Sequence, residues 1–120
     1  MAIRVLVVED SVLISGALRI LLESGGYDVA VAGTGTDAVA KGEAAPPDVV
    51  LLDLTLPDAD GLWVLDELQS RGIRPRLKLA MTGHDDNLTR ERCIAAGCDD
   101  VLIKPVPVRE LLRIIAERLA

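Results

Sequence analysis

Apolar and polar residues form two recurring patterns along the chain. Short runs rich in aliphatic and β-branched residues predict β-strands, and apolar residues spaced three and four positions apart predict amphipathic helices. The five predicted strands span residues 3–8, 27–32, 49–52, 78–81 and 101–103. The five predicted helices span residues 12–24, 36–43, 62–71, 86–96 and 108–119. Strands and helices therefore alternate from one end of the chain to the other.

Turn residues and short connections between these elements indicate the fold class. Glycine or proline residues stand at the joints, with Gly25-Gly26, Pro46-Pro47 and the pair Pro57 and Gly61 among them. Strict alternation of strand and helix with short loops predicts a parallel sheet with right-handed crossovers and helices on both faces. The continuously apolar run 49–52 agrees, because such a strand is covered on both sides. We therefore expect one doubly wound α/β domain over residues 1–120.

The spacing of apolar residues also predicts which helix faces pack against the sheet. In the first helix this face is formed by Ile14, Ala17, Leu18 and Leu21. In the last helix it is formed by Leu111, Leu112, Ile115 and Leu119. The first helix has three further apolar residues, Val12, Leu13 and Ile20, which predict either extra burial or a contact with a partner.

Composition and charge exclude several classes of protein. Half of the 120 residues are apolar, which excludes a disordered chain. A net charge of −6 and only two aromatic residues, Tyr27 and Trp63, argue against a nucleic-acid surface. No segment has the apolar length of a membrane span and the N-terminus lacks a signal-peptide pattern, so we expect a cytoplasmic protein. Cys93 and Cys98 form neither a CxxC motif nor a metal pair, and we expect two buried or half-buried thiols.

Polar side chains follow four of the five predicted strands. They are Glu9 and Asp10 after the first strand, Asp53 at the end of the third, Thr82 at the end of the fourth and Lys104 at the end of the fifth. In a parallel sheet of this kind, ligands bind at the carboxyl ends of the strands, near the point where the strand order reverses. The sequence therefore predicts a polar site at that edge.

The chemistry of this set favours phosphoryl transfer. Three carboxylates placed together repel one another unless a cation joins them, and Mg²⁺ with several retained waters suits a small carboxylate cluster. Lys104 adds a second positive charge and Thr82 adds a hydroxyl donor. These groups could stabilise a phosphoryl group arriving at Asp53, which we interpret as the nucleophile.

Each of these residues also has a simpler interpretation. Glu9 and Asp10 could cap the helix that begins near residue 12, since acidic groups are favoured there. Asp53 and Thr82 could be turn residues at strand ends, and Lys104 could be an exposed lysine that covers apolar surface. It is their joint occurrence at successive strand ends that favours a functional site.

Four segments resemble the receiver domain of response regulators, the phospho-accepting module of two-component signalling. They are VLVVED (5–10), LLDLTLPDADG (51–61), MTG (81–83) and GCDDVLIKP (97–105), and they follow one another in the family's order. The resemblance covers the whole chain. It implies a flavodoxin-like α/β fold, with a five-stranded parallel sheet in the order 2-1-3-4-5 and five flanking helices.

The resemblance implies a role for each site residue. Asp53 would accept the phosphoryl group, Thr82 would hydrogen-bond one of its oxygens, and Lys104 would pair with another. Asp10 would bind Mg²⁺ (or Mn²⁺) directly, Glu9 mostly through water, and Asp53 and the backbone carbonyl of Thr55 would complete the metal site. The bond between Lys104 and Pro105 is expected to be cis, as is typical of the family.

The resemblance also implies partners and a switch. A histidine kinase or histidine phosphotransfer protein would donate the phosphoryl group, docking on the first helix and the loop after the fifth strand. Phosphorylation would then shift the loop after the fourth strand and the face formed by the fourth helix, fifth strand and fifth helix. That face would control an unknown downstream effector and could form a weak homodimer through Arg90, Arg92, Asp99, Asp100 and Arg113. We expect no binding of nucleic acid or membrane through this chain.

Some positions depart from the family's usual pattern. Val101 stands where an aromatic ring often takes part in switching, and Val106 replaces a common aromatic residue. Thr55 and His84 occupy positions that in this family shape the access of water to the phosphoryl group, so the resemblance implies that they influence its lifetime. Trp63 replaces a usually polar residue and is either a partner contact or partly buried against a neighbouring helix.

Two alternatives remain open. A phosphatase of the haloacid dehalogenase type also uses an aspartate nucleophile, but its nucleophile follows the first strand and it needs a second aspartate two residues on, where this chain has Thr55. A receiver-like binding module that works without phosphorylation usually lacks one of the site residues. All of them are present here.

Overall fold

The computed structural model describes residues 2–120, in which five strands form one parallel sheet flanked by five helices. The strands are β1 (Arg4–Val8), β2 (Asp28–Ala32), β3 (Val49–Asp53), β4 (Leu77–Thr82) and β5 (Asp100–Ile103). The helices are α1 (Val12–Ser24), α2 (Gly35–Ala44), α3 (Gly61–Ser70), α4 (Asn87–Ala95) and α5 (Val108–Arg118). Each element begins and ends within one residue of its predicted bounds.

The strands lie in the order β2-β1-β3-β4-β5, and every neighbouring pair is parallel. This confirms the predicted flavodoxin-like topology. The register places Val8 beside Leu52 and Asp53 beside Met81, so the strands end together at one edge. The strand order reverses between β1 and β3, since β2 lies on one side of β1 and the later strands lie on the other. Sheets of this type bind ligands in the crevice at the carboxyl ends of the two strands that flank this point.

Strand β3 lies at the centre of the sheet, and all five of its residues are buried. Side chains alternate between the two faces of a strand, so β3 contributes to two separate cores. Val50 and Leu52 pack into the core under α2, α3 and α4. Val49 and Leu51 pack into the core under α1 and α5. Burying each such side chain stabilises the fold by roughly 1.5–3 kcal/mol, which holds β3 firmly in place.

The predicted inner face of α1 is partly wrong. The buried residues of this helix are Ser15, Leu18 and Leu22. Ile14 is 41% exposed, Ala17 is exposed and Leu21 is half-buried. The apolar pattern missed Ser15 because serine is polar, but its hydroxyl donates to the Val12 carbonyl at 3.3 Å and can therefore be buried. The helix is therefore rotated about its axis relative to the prediction, and the apolar residues Val12, Leu13 and Ile20 are exposed.

The predictions for α5 and for the cysteines agree with the structure. Leu111 and Ile115 are buried, Leu112 and Leu119 are partly buried, and Ile114 joins them. Cys93 and Cys98 are free, buried thiols. Burial raises the pKa of both, that of Cys98 to about 12, so neither is a thiolate nucleophile at neutral pH.

The helices are shorter than the hydrocarbon thickness of a bilayer requires. The helix α1 has 13 residues, and a membrane span needs about 20 apolar residues. Within residues 2–120, no helix is long and apolar enough to cross a membrane.

Candidate functional site

The polar residues predicted at the strand ends meet at the carboxyl edge of the sheet. Glu9 directly follows β1, Asp53 is the last residue of β3, Thr82 is the last residue of β4, and Lys104 directly follows β5. Glu9 is 1% exposed, Thr82 4% and Asp53 5%, so three polar side chains are buried at this edge. Asp10 is exposed beside them.

The Lys104 ammonium connects two of the buried carboxylates. Its Nζ lies 2.9 Å from Glu9 Oε1 and 3.2 Å from Asp53 Oδ2. The Lys104 backbone N–H donates to the Thr82 carbonyl at 2.8 Å, which aligns the end of β5 with the end of β4. The bond to Pro105 is cis, as expected. Lys104 is therefore held at the centre of the site, and its interpretation as an exposed surface lysine is wrong.

Asp53 and Thr82 each use one oxygen in a local turn. The Thr55 N–H donates to Asp53 Oδ1 at 3.0 Å, and the His84 N–H donates to Thr82 Oγ1 at 3.1 Å. The simpler interpretation of both residues as turn formers is thus partly right. These bonds leave Asp53 Oδ2 beside the lysine and leave the Thr82 hydroxyl proton free to be donated.

The acidic pair after β1 does not cap α1. Ser11 is the N-cap of that helix, and its hydroxyl accepts the Ile14 N–H at 3.3 Å. The Glu9 side chain turns inward to Lys104. Helix capping therefore does not explain why Glu9 is acidic.

The acidic cluster has the composition of a site for a hard divalent cation. One carboxylate oxygen each from Glu9, Asp10 and Asp53 can be chosen so that all three lie within 4.8 Å of one another. Glu9 Oε2 is buried, and no group in residues 2–120 hydrogen-bonds to it. An unpaired buried carboxylate oxygen is costly, and one ammonium cannot balance three carboxylates. These residues therefore fit a cation with oxygen ligands such as Mg²⁺.

Proton affinities at the site follow from the same contacts. Burial and the closeness of the Asp53 carboxylate raise the pKa of Glu9. Burial also acts to raise the pKa of Asp53, but its contacts with Glu9, the Thr55 N–H and Lys104 outweigh the effect of burial, and the pKa is lowered. The two carboxylates raise the pKa of Lys104 against the effect of its burial. At neutral pH, Asp53 is an anion and Lys104 a cation.

The loop between β3 and α3, residues 54–60, closes tightly on the end of β3. The Gly61 N–H donates to the Leu54 carbonyl at 2.9 Å, and Thr55 forms an antiparallel bridge with Asp60. A Cβ at position 61 would lie 2.2 Å from the Asp53 carbonyl oxygen. Gly61 was predicted only as a turn residue, and the close packing that requires it depends on a tertiary contact.

Two aspartates of this loop contact other helices. The Asp58 carboxylate accepts hydrogen bonds at the N-terminus of α2. The Asp60 carboxylate caps α3 through the Leu62 N–H and pairs with Arg92 of α4. The sequence pattern gave neither residue a role, because the partners are distant along the chain. Asp58 and Gly35 are 23 positions apart, and Asp60 and Arg92 are 32 positions apart.

The positions that depart from the family pattern fall in three environments. Val101 is buried in the core under α4. Thr55 and His84 are exposed at the edge that carries the site. Trp63 is 39% exposed, and its ring lies 3.3 Å from the position of a Cβ on Gly35. Of the two interpretations of Trp63, partial burial against a neighbouring helix describes this packing.

Replacing Gly61 by alanine should destabilise the protein by more than about 2 kcal/mol, because backbone atoms of Asp53 and Leu54 must move away from the new methyl group. Urea unfolding followed by circular dichroism measures this change. Gly16→Ala is the matched control, since a Cβ there meets nothing within 4 Å, and it should be neutral or stabilising by about 0.5–1 kcal/mol. Equal stability of the two variants would contradict the close approach at Gly61.

Comparison with known sequences gives matches over nearly the whole chain. The family model of the response regulator receiver domain matches residues 5–116. The transcriptional regulatory protein KdpE of Mycobacterium tuberculosis is 40% identical over 90% of this chain and 47% of its own length. The transcriptional regulatory protein ResD of Bacillus subtilis is 36% identical over 91% of this chain and 45% of its own. The chain thus spans less than half the length of these relatives.

Solved structures show the same architecture. A CheY-like response regulator receiver domain protein from Methanospirillum hungatei superposes with a TM-score of 0.89 at 32% identity, covering 99% of this chain and 94% of that one. The chemotaxis protein CheY4 of Vibrio cholerae superposes with a TM-score of 0.90 at 25% identity, covering 98% of each chain. The family model, the sequence relatives and the fold agree, and the chain belongs to the response regulator receiver domain family of two-component systems.

Proposed function

We propose that this receiver domain accepts a phosphoryl group on Asp53. The observation that carries the proposal is the contact of Lys104 Nζ with Asp53 Oδ2, at 3.2 Å, inside a buried acidic cluster. It keeps a buried carboxylate ionised and nucleophilic, and it places a cation where the charge of an incoming phosphoryl group would develop. We also propose that residues 1–120 form one receiver domain, with the match over residues 5–116 in support.

The proposed transfer is an in-line displacement at phosphorus. A carboxylate oxygen of Asp53 forms the new P–O bond, and the P–N bond of a phosphohistidine donor breaks with its electron pair leaving on the imidazole. Lys104 shifts from the carboxylate to the phosphoryl oxygens, and the Thr82 hydroxyl donates to another of them. The leaving imidazole takes up a proton from solvent water as the P–N bond breaks. This division of labour is typical of phosphoryl transfer, in which positioning and charge stabilisation do most of the work.

We propose that Mg²⁺ (or Mn²⁺) occupies the acidic cluster, held by Asp10, Asp53 and the Thr55 carbonyl, with Glu9 mostly through water. When bound, the ion supplies positive charge to the phosphoryl oxygens and orients them. The unpaired Glu9 Oε2 and the excess of carboxylates over the single ammonium support this assignment. Before transfer, the chain's own residues keep the site ordered through the Thr55 N–H and Lys104.

The donor is proposed to be a histidine kinase or a histidine phosphotransfer protein docking on α1. Val12 and Leu13 are each 84% exposed, and Ile20 is 70% exposed. Leu13, together with Ile14, Ala17 and Leu21 of α1 and with the loop after β5, lines a groove of about 260 Å³ that reaches Lys104. An apolar surface of this extent beside the nucleophile suits a partner that must present its phosphohistidine there.

Output is proposed to pass through the loop after β4 and the face formed by α4, β5 and α5. With Val101 in place of a ring, movement of Thr82 would act on this loop through the His84 N–H rather than through an aromatic side chain. Asp60 and Arg92 add a direct contact between the loop after β3 and α4.

A weak homodimer through the same face is proposed as an alternative to a monomer. Its charged residues have partners within the chain, since Arg90 pairs with Asp85, and Arg113 pairs with Glu110 and Glu117. A dimer would therefore exchange existing ion pairs rather than satisfy free charges.

The net charge of −6 supports the absence of nucleic-acid binding through this chain, and a cytoplasmic location stays a prediction.

Incubation with acetyl phosphate and Mg²⁺ should add the mass of one phosphoryl group, stable in acid and labile in base. Asp53→Asn should abolish the gain because the amide is not a nucleophile, and the exposed Asp66→Asn should keep it. Intact-mass spectrometry measures both. No gain in the wild type would favour the phosphorylation-independent module, and steady turnover of many small phosphate esters would favour the phosphatase.

Removing one proposed metal ligand should weaken Mg²⁺ binding about tenfold or more without unfolding the protein. Asp10→Asn is suitable because Asp10 is exposed and lies outside the contacts of Lys104. Asp28→Asn, an exposed aspartate at the opposite edge of the sheet, is the control and should bind Mg²⁺ as the wild type does. Calorimetric titration measures the affinities, and equal affinity of Asp10→Asn and wild type would remove Asp10 from the metal site.

A further inference from the structure

Asp58 reaches from the loop after β3 to the beginning of α2. Its Oδ1 accepts the Gly35 N–H at 2.8 Å, and its Oδ2 accepts the Thr36 N–H at 3.1 Å and the Thr36 hydroxyl at 2.9 Å. The first N–H groups of a helix have no partner within the helix and carry the positive end of its dipole. A carboxylate on these groups makes a charge-assisted contact of defined direction.

The surfaces around this contact pack closely. A Cβ on Gly35 would lie 3.2 Å from Ala59 Cβ, 3.3 Å from the Trp63 ring and 3.4 Å from Asp58 Oδ1. Glycine is therefore matched to the close approach of α2 and the loop. The N-cap of α2 itself is Thr34, whose hydroxyl accepts the Asp37 N–H at 3.0 Å. The N-terminus of α2 thus has two sets of hydrogen bonds, a local one from Thr34 and one from Asp58 in the loop after β3.

The stretch between Asp58 and the site has little freedom. Only two residues separate it from Thr55: Leu56, which is buried, and Pro57, whose ring restricts the backbone. On the other side, the bridge of Thr55 with Asp60 closes the loop. A shift of Asp58 would therefore move the Thr55 carbonyl and the Thr55 N–H that donates to Asp53.

We propose that Asp58 is a positioning residue for the phosphoacceptor site: by binding the N-terminus of α2, it sets the place of the Thr55 backbone, and with it the affinity for a divalent cation. The inference rests on the proposed function, in which the Thr55 carbonyl is a metal ligand. Asp58 touches neither the cation nor the phosphoryl group in this role. It acts through the loop alone.

A merely structural role would be that Asp58 stabilises α2 as a helix cap does. Thr34→Ala is the matched variant for this role, because it removes a hydrogen bond from the same helix end without touching the loop. The two roles predict different readouts. Helix stability should respond to both variants, and cation affinity only to the change at Asp58.

The test measures Mg²⁺ affinity by calorimetry for wild type, Asp58→Ala, Asp58→Asn and Thr34→Ala, with urea unfolding of each. We expect Asp58→Ala to bind Mg²⁺ about tenfold more weakly, the size of effect known for groups that orient metal ligands. Asp58→Asn should recover part of the affinity, because its amide oxygen still accepts an N–H. Thr34→Ala should lose stability but keep wild-type affinity.

Phosphorylation by acetyl phosphate gives a second readout. Asp58→Ala should gain phosphoryl more slowly at low Mg²⁺ and approach the wild-type rate at saturating Mg²⁺, since the bound cation would hold the Thr55 backbone in place and neither Asp53 nor Lys104 is substituted. A rate deficit that saturating Mg²⁺ does not reduce would contradict a role exerted through the cation site.

The outcomes separate this inference from the proposed function. Wild-type Mg²⁺ affinity in Asp58→Ala, or an equal loss in Thr34→Ala, overturns the positioning role. If the wild type binds Mg²⁺ but gains no phosphoryl group, the proposed function fails and the affinities still decide the role of Asp58. If the wild type binds no Mg²⁺, both fail.

Discussion

The structure depends on one buried interaction, the contact of the Lys104 ammonium with Glu9 and Asp53. Moving an ion out of water costs several kcal/mol, so a carboxylate at the end of the most buried strand needs a partner close by. Lys104 provides it at 3.2 Å from Asp53 and 2.9 Å from Glu9. The contact joins the ends of β1, β3 and β5, and it leaves more negative than positive charge in the site. That excess is the physical reason why the site is suited to a divalent cation.

The parallel sheet makes this interaction possible, and the surrounding helices refine it. The aliphatic core on both faces of β3 holds Asp53 at the edge, where the loop 54–60 folds over it. This loop contacts three helices through two carboxylates, Asp58 at α2 and Asp60 at α3 and α4. Asp53 therefore stands on a buried strand, while the backbone groups beside it depend on contacts with three helices. Such a division holds the carboxylate precisely and links the neighbouring backbone groups to the surrounding helices.

Much of the fold and the site could be predicted from local patterns. The periods of the apolar residues gave the strands and helices within one residue, and the strand ends gave Glu9, Asp53, Thr82 and Lys104 as neighbours. The inner face of α1 was misjudged, because Ser15 is buried through a hydrogen bond that hydropathy does not reveal. The contact of Asp58 with α2 was missed, since it joins residues 23 positions apart. Such contacts depend on how elements pack, and no periodicity encodes them.

Trapping an acyl phosphate by borohydride reduction tests the role of Asp53 most directly. Wild-type protein is treated with acetyl phosphate and Mg²⁺, reduced with sodium borohydride, digested and sequenced by tandem mass spectrometry. Because reduction converts an aspartyl phosphate to homoserine, we expect homoserine at position 53 and unchanged aspartate at position 10, with no conversion when acetyl phosphate is omitted. Conversion at another carboxylate, or at none, would contradict the assignment of Asp53 as the phosphoacceptor.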